Sequence, residues 1–517
     1  MHTLLRQSLA AIAMASVLLP TGLQADQAKS STLDGIWNQR GYGNILSIKE
    51  GTYNLHEVTS ISCIKTEYGP LEDLEDDLDL DSLEITANGN LWGQESGTAA
   101  PIAYERIPAL PEQCSDGGTS ATSDPQVNFD ILWHTFNEYY AFFDRRFVDW
   151  QAQYDLYRPQ VTAKTTGEEL ETIFKDMLAP LTDGHVVLET TNSGCEDGCE
   201  TDNFLNLEVF QRLIAEIVLN SEDQSVDIDE FVADVDEQAN KILDGYFDEP
   251  LKQAANEEIE WGTIHNSIGY LRISSMEDYS PDDDTSVETQ AIILETALDQ
   301  IMDDFQGLRG VIVDVRDNGG GYDAFSLSIA NRFVDEKRLA YTKQARDGDG
   351  KTKPTEVYIK PQGAIPYTGS VAVLTSELTV SAAETFTLAM KVLPHVTTIG
   401  DKTQGILSDT LGKELPANDW FFTLSNEVYT AANGRVYEET GIPADIPWPF
   451  LSKRDREREI DGAIELALMH FDETTCEEYQ PGHNDGENRV SCDDENPDKT
   501  CEEKPDRKMW KENVLCD

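Results

Sequence analysis

Between residues 264 and 400, short apolar runs alternate with helix-type runs, and that alternation leaves few folds open. IGYLRIS is followed by a helical stretch over 287–305 closed by Gly307, then GVIVDV, a helical stretch over 324–333, VAVLT, another over 382–390, and VTTIG. Strands that alternate with helices join as parallel βαβ units, because a parallel neighbour is reached only by a crossover. VAVL is apolar at every position rather than at alternate ones, the pattern of a strand covered on both faces. The expected fold class is therefore α/β.

The residues with chemistry to offer fall at the turns of this pattern. In VAVLTSELTVSAAETFTLA (371–389), Ser381 stands between a strand and a helix. A serine there can cap exposed backbone N–H groups. It can equally be a nucleophile, since Ala382 and Ala383 leave room beside the hydroxyl and the helix N-terminus favours developing negative charge. After GVIVDV comes RDNGGG, either an ordinary turn or glycines that let backbone N–H groups approach a substrate closely. His185, in LTDGHVVLE, lies between the Asp183-Gly184 turn and a strand, where it either bonds the turn or carries function. Glu384 reads as a first-turn partner of the helix dipole.

Four segments together resemble the C-terminal processing peptidases, the S41 serine peptidases that include tricorn protease and the tail-specific proteases. They are TSELTVSAAE, GVIVDVRDNGGG, GDKTQGILSD (400–409) and YEETGIPADI (437–446), within a resemblance covering about residues 125–470. It implies a ClpP/crotonase-like βαβ core and a serine endopeptidase acting through an acyl-enzyme on Ser381. Tail-specific members carry a general-base lysine in a GxxTxGKG segment; here Ile406 holds that place and Lys402 comes earlier, so a Ser-Lys dyad is excluded there. The tricorn-like solution implies His185 as general base and Glu438, three residues before Gly441, as its orienting carboxylate, with Glu439 as the alternative. Gly184 stands where tricorn has a serine, so any extra orienting hydroxyl comes from elsewhere, Ser408 being the candidate. The resemblance also implies an oxyanion hole from the N–H groups of Gly321 and Ala382, supported by Gly320. No PDZ pattern is recognised. Two other readings stay open: a ligand- or peptide-binding module on the same fold, and an esterase or acyl transferase.

The remaining organisation is read as follows. His2 and Arg6 precede LAAIAMASVLL and GLQA, so residues 1–25 are expected to be a secretory signal cleaved after Ala25. Residues 26–114 read as a small antiparallel β domain and 115–124 as a linker. Residues 125–260 read as a helical subdomain carrying the His185 turn, with Phe129, Leu132, Trp133, Phe136, Tyr140 and Phe143 at helical spacing and a Thr166/Glu169 capping box. Residues 261–471 are the catalytic core and 472–517 an acidic, cysteine-bearing tail. The run LEDLEDDLDLD (71–81) reads as a solvated acidic loop, a calcium site being the other reading.

Eight cysteines beside an export signal point to disulfides. Cys63 with Cys114 and Cys195 with Cys199 are candidate pairs, while Cys476, Cys492, Cys501 and Cys516 fall in the tail. The spacing does not suit zinc, and no metal or cofactor is expected. An excess of 97 acidic over 39 basic residues speaks against nucleic acid and anionic membranes as partners. No run after the signal is long and apolar enough to span a bilayer. The expected partner is a protein or peptide substrate, met in the periplasm or outside the cell.

Overall fold

A computed structural model of the protein describes residues 33–119, 122–190, 207–220, 228–282, 285–416 and 420–477. The expected signal segment, Cys195, Cys199, Cys492, Cys501 and Cys516 lie outside them.

Alternating apolar residues in the N-terminal region make a seven-stranded antiparallel sheet, in the order Cys63–Pro70, Thr52–Val58, Asn44–Lys49, Gly35–Gln39, Ile102–Ile107, Leu91–Glu95 and Leu80–Ile85. Trp37, Leu46, Tyr53 and Leu91 form its core. The acidic run is not a loop: it forms the turns Leu71–Asp73 and Leu74–Asp77 and enters a strand at Leu80. The reason is apolar, since Leu74 and Leu80 are buried in the sheet's core while the carboxylates face outward. Cys63 and Cys114 lie in disulfide geometry, with Cα atoms 5.1 Å apart.

The aromatic stripe becomes the helix Pro125–Tyr139 only as far as Phe136; Tyr140, in extended backbone, and Phe143 lie past its end, and Asp124 caps its N-terminus by accepting from the Gln126 N–H at 2.9 Å. With Trp150–Tyr157 and Gly167–Leu178 it encloses a second core that takes in Phe422 and Leu424 of the strand Phe421–Ser425. The capping box forms as the residue types require: Thr166 Oγ1 accepts from the Glu169 N–H while Glu169 reaches back to the Thr166 N–H. Beyond this helix the chain turns at Thr182, in left-handed backbone, and Leu188–Glu189 pairs with Phe421 and Phe422.

The βαβ alternation builds a seven-stranded sheet ordered Ile446–Pro447, Val396–Gly400, Ser370–Thr375, Gly310–Asp314, Ile268–Ile273, Ile259–Ile264 and Lys252–Ala254. The first five run parallel; the last two add an antiparallel edge. Val311, Val313, Val371 and Val373 face one side, against the helices Val287–Asp304 and Ala382–Lys391. Ile312, Ala372 and Leu374 face the other, against Ala463, Ile464 and Ala467 of the C-terminal helix Gly462–Glu477. Every residue of Gly310–Asp314 is buried, as a strand covered on both faces must be. The fold is thus α/β.

Candidate active site

The two central parallel strands end side by side, with Asp314 opposite Leu374, and the chain past each strand stays paired, Asp317–Asn318 against Leu378–Thr379. Buried hydroxyls fasten the two turns: Thr379 Oγ1 donates to the Val315 carbonyl at 2.7 Å, and Ser376 Oγ donates to that of Arg316. The glycine turn and the serine turn are therefore brought together at the carboxyl ends of parallel strands, where open α/β sheets offer a crevice.

Ser381 heads the helix Ala382–Lys391 with φ 53° and ψ −118°, a left-handed backbone that a residue with a Cβ adopts only under constraint. Gly320 explains the constraint. A Cβ on Gly320, itself at φ 109°, would lie 2.7 Å from Ser381 Cβ and 3.2 Å from Ala382 N. Only a glycine permits this approach, and it sets the backbone of Gly320, Gly321 and Ala382 around the serine. The Gly320 N–H is occupied by Asn318 Oδ1 at 2.9 Å, and the Gly320 carbonyl accepts from the Met276 N–H at 2.7 Å. Ser381 and Gly321 both line a cleft of about 330 Å³.

The segment 403–408 faces this turn and is held by two buried carboxylates. Glu384, fully buried, accepts from Thr403 Oγ1 at 2.5 Å, the Gly405 N–H at 2.8 Å, the Ile406 N–H at 2.7 Å and the Ser381 N–H at 3.3 Å. Burial pushes its carboxyl up to about 7, against the pull of those donors. Glu438 Oε2 accepts from the next two amides, Leu407 at 2.9 Å and Ser408 at 3.0 Å. Four successive N–H groups are thus taken by two side chains. The sequence reading of Glu384 as a dipole partner fits its place in the first turn but missed this wider role.

His185 approaches the same segment from the helical region. Its N–H donates to Asp183 Oδ1 at 3.0 Å and its carbonyl accepts from Thr423 Oγ1 at 2.7 Å. Gly184 lets the turn close on Ile406: a Cβ there would stand 2.5 Å from Ile406 Cδ1. The Ser381 N–H donates to the Ile406 carbonyl at 3.1 Å, so the serine is held to the same segment that the histidine turn packs against. Burial lowers the His185 pKa below 6.5, while Asp183 and then Asp409 oppose the drop. Its Nδ1 is buried with no hydrogen-bond partner among the described residues.

Glu438 and Ser408 make contacts other than those expected. Glu438 is buried and Glu439 exposed, but Glu438 engages Leu407, Ser408 and Arg146 (3.5 Å) instead of the imidazole. Burial, then Asp183, pushes Glu438 well above the usual carboxylate range, and Arg146 opposes. Arg146, unnoticed in the sequence, also lies 3.4 Å from Asp183 and so links Glu438 to the histidine turn. The Ser408 hydroxyl is taken by its own surroundings, donating to the Asp409 carbonyl at 2.9 Å and accepting from the Glu427 N–H at 3.1 Å. Lys402 points to Glu377 and Glu208, 3.8 and 3.9 Å away.

Residues 267–448 match the family model of peptidase family S41, and residues 122–179 that of the tricorn protease C1 domain. The carboxy-terminal processing protease CtpA of Bacillus subtilis (strain 168) is 28% identical over 140 residues, 27% of this chain and 26% of CtpA. The match therefore spans about a quarter of that relative's length. A crystal structure of a peptidase candidate from Parabacteroides merdae ATCC 43184 is similar over 68% of this chain and 97% of its own, at 27% identity and a TM-score of 0.52.

Proposed function

We propose that this chain, whose residues 267–448 match the S41 peptidase family model, is an exported serine endopeptidase with Ser381 as nucleophile and His185 as general base. The observation that carries the reading is the left-handed backbone of Ser381, pressed against Gly320 at the head of a helix. A strained serine at a strand-to-helix turn presents its hydroxyl to the cleft, as a nucleophile must be presented.

In this mechanism Ser381 Oγ attacks the peptide carbonyl carbon and its proton passes to His185, neutral at rest because burial lowers its pKa. The carbonyl oxygen becomes an oxyanion facing the N–H groups of Gly321 and Ala382. Collapse of the tetrahedral species breaks the C–N bond, and His185 returns the proton to the leaving amine. Water, deprotonated by His185, then hydrolyses the acyl-enzyme. Glu438 acts as a positioning residue through Arg146 and the 407–408 amides. Export fits the signal-like start of the sequence, the Cys63–Cys114 bridge and the acidic composition.

A fluorophosphonate probe tests the reading. Wild type should be labelled on Ser381 and Ser381→Ala should not, while His185→Ala should lower peptide turnover by on the order of 10⁶-fold. Folded wild type that takes no label would overturn hydrolysis in favour of a binding module. A His185→Ala variant that keeps its rate would remove the base.

A further inference from the structure

The cleft beside Ser381 is not built by the core alone. The N-terminal sheet contributes Tyr42, Asn44 and Glu95 to its wall, together with Gly97, whose carbonyl accepts from the Ala324 N–H at 2.9 Å. A Cβ on Gly97 would meet the Tyr322 ring at 2.1 Å, so the sheet is seated closely on the segment that follows the glycine turn.

Most charged groups of this cleft are matched internally. Lys343 Nζ lies 2.9 Å from Glu427 Oε2 and 3.7 Å from Asp409 Oδ2, and the Tyr42 hydroxyl donates to Glu427 Oε1. Asp323 accepts from Thr385 Oγ1 at 2.7 Å and from the Tyr429 hydroxyl at 2.9 Å. Two acceptors are left over and a third is only partly met. The Glu95 carboxylate has no hydrogen bond or ion pair among the described residues, and burial, then Asp409, pushes it up to about 7. Asp409 is the partly met one: Oδ1 accepts from the Thr410 N–H at 3.1 Å and Oδ2 shares Lys343 at the longer distance, but 43% of its side chain stays exposed. Asn426, 1% exposed, lines the same cleft, and its Oδ1 has no partner. The orientation of that amide is fixed, because its Nδ2 donates to the Gly41 carbonyl at 3.1 Å.

The unmet need is therefore for donors and positive charge. No group of three or more His, Cys, Asp or Glu side chains among the described residues is placed to hold a metal ion. An organic cation that spreads several N–H groups suits the three acceptors, and guanidinium, with five donors and no acceptor, is the side chain of that kind. We propose that this cleft selects an arginine side chain of the substrate, with Glu95 and Asp409 as its charged contacts and Asn426 Oδ1 as its neutral one. The proposal rests on the peptidase reading for the substrate being a peptide, and it makes the N-terminal sheet a specificity element.

The test uses the full chain carrying Ser381→Ala, so that peptides bind without being cut. Dye-labelled octapeptides of Gly, Ala and Ser, with one arginine or one citrulline walked along the sequence, are titrated by fluorescence anisotropy. Citrulline keeps the shape of arginine and removes its charge. At one position arginine should bind about tenfold tighter or more, with the margin shrinking at high salt. Glu95→Gln should reduce the margin to about two- or threefold, and Glu95→Lys should abolish or invert it. Arginine and citrulline within twofold at every position, no measurable binding of any arginine peptide, or a margin untouched by both Glu95 variants would overturn the proposal. Fluorophosphonate labelling of wild type needs no arginine and judges hydrolysis separately. Labelled protein without an arginine margin defeats this proposal alone, and unlabelled protein with one defeats hydrolysis alone.

Discussion

Replacing Glu384 by glutamine should separate two forces that act on the buried carboxyl beneath Ser381. The side chain is fully buried and accepts from Thr403 Oγ1, two loop amides and the Ser381 N–H. Glutamine offers one oxygen and turns an NH₂ toward at least one of those donors. One or two unpaired buried donors cost about 1–3 kcal/mol each, so a loss of about 1–6 kcal/mol is expected at pH 5. Wild type also titrates there, whereas the variant does not. Burial raises the Glu384 carboxyl from 4.5 to about 7, so between these values the folded chain holds a proton that the unfolded chain has released. The stability from that proton is fully present below 4.5 and is lost as pH climbs through about 7, an amount of about 3 kcal/mol. The advantage of wild type over Glu384→Gln should therefore be larger near pH 5 and shrink by about 2.5 kcal/mol toward pH 8. Urea unfolding of both proteins across that range, followed by tryptophan fluorescence, reads the difference directly. Labelling of Ser381 should slow in the variant, since the loop it releases carries the carbonyl that accepts from the Ser381 N–H. An advantage that stays constant or grows with pH would refute the argument, because the four donors would then hold the carboxylate ionised against burial.

The remaining expectations concern the base and the glycine turn. Because burial lowers the His185 pKa, kcat/KM should rise with pH and reach its plateau near or below neutrality, with a midpoint under 6.5; a midpoint at 7 or above would mean that Asp183 and Asp409 outweigh burial. Gly320→Ala should slow Ser381 labelling by about 100-fold or more, since the added Cβ would lie 2.7 Å from Ser381 Cβ at φ 109°. Gly319→Ala is the matched control, because a Cβ there meets nothing within 4 Å. Equal labelling of the two alanine variants would show that the close approach does not shape the site.

What could be read from the sequence is what local periodicity encodes. VAVL and the following small-residue run specify a strand, a turn and a helix, and Thr166 with Glu169 specifies a helix start, whatever the rest of the chain does. Residues that act across long separations were not legible. Arg146 follows an aromatic helix with nothing to mark it, and its meaning comes from Asp183 and Glu438, which the fold brings to it. Glu95 reaches the nucleophile's cleft only because the first sheet packs on the segment after the glycine turn. Glu384 was in plain view as the third residue of its helix, but its burial depends on residues 403–406, a contact that no capping rule contains. The acidic run held a usable signal: Leu71, Leu74 and Leu78 recur at helical spacing, and net charge outweighed them in the reading although burial of Leu74 decides the structure.

The use of carboxylates under the loop has a mechanical consequence. Amides 405–408 point at side chains instead of a neighbouring strand, so the loop's position is set by Glu384 and Glu438. Glu384 also holds the Ser381 N–H, and Glu438 passes through Arg146 to Asp183, which holds the His185 N–H. A continuous series of polar contacts therefore runs from Ser381 to His185 without either side chain having to hold the other in place. Such a frame fixes geometry before substrate arrives and lowers the reorganisation needed at the moment of reaction. The same frame divides the electrostatic work on the histidine. In the proposed mechanism burial favours the neutral ring that takes the proton, while Asp183 and Asp409 favour the imidazolium that forms. Removing Asp183 would disturb both position and charge, whereas a change at Glu384 reaches the base only through the loop.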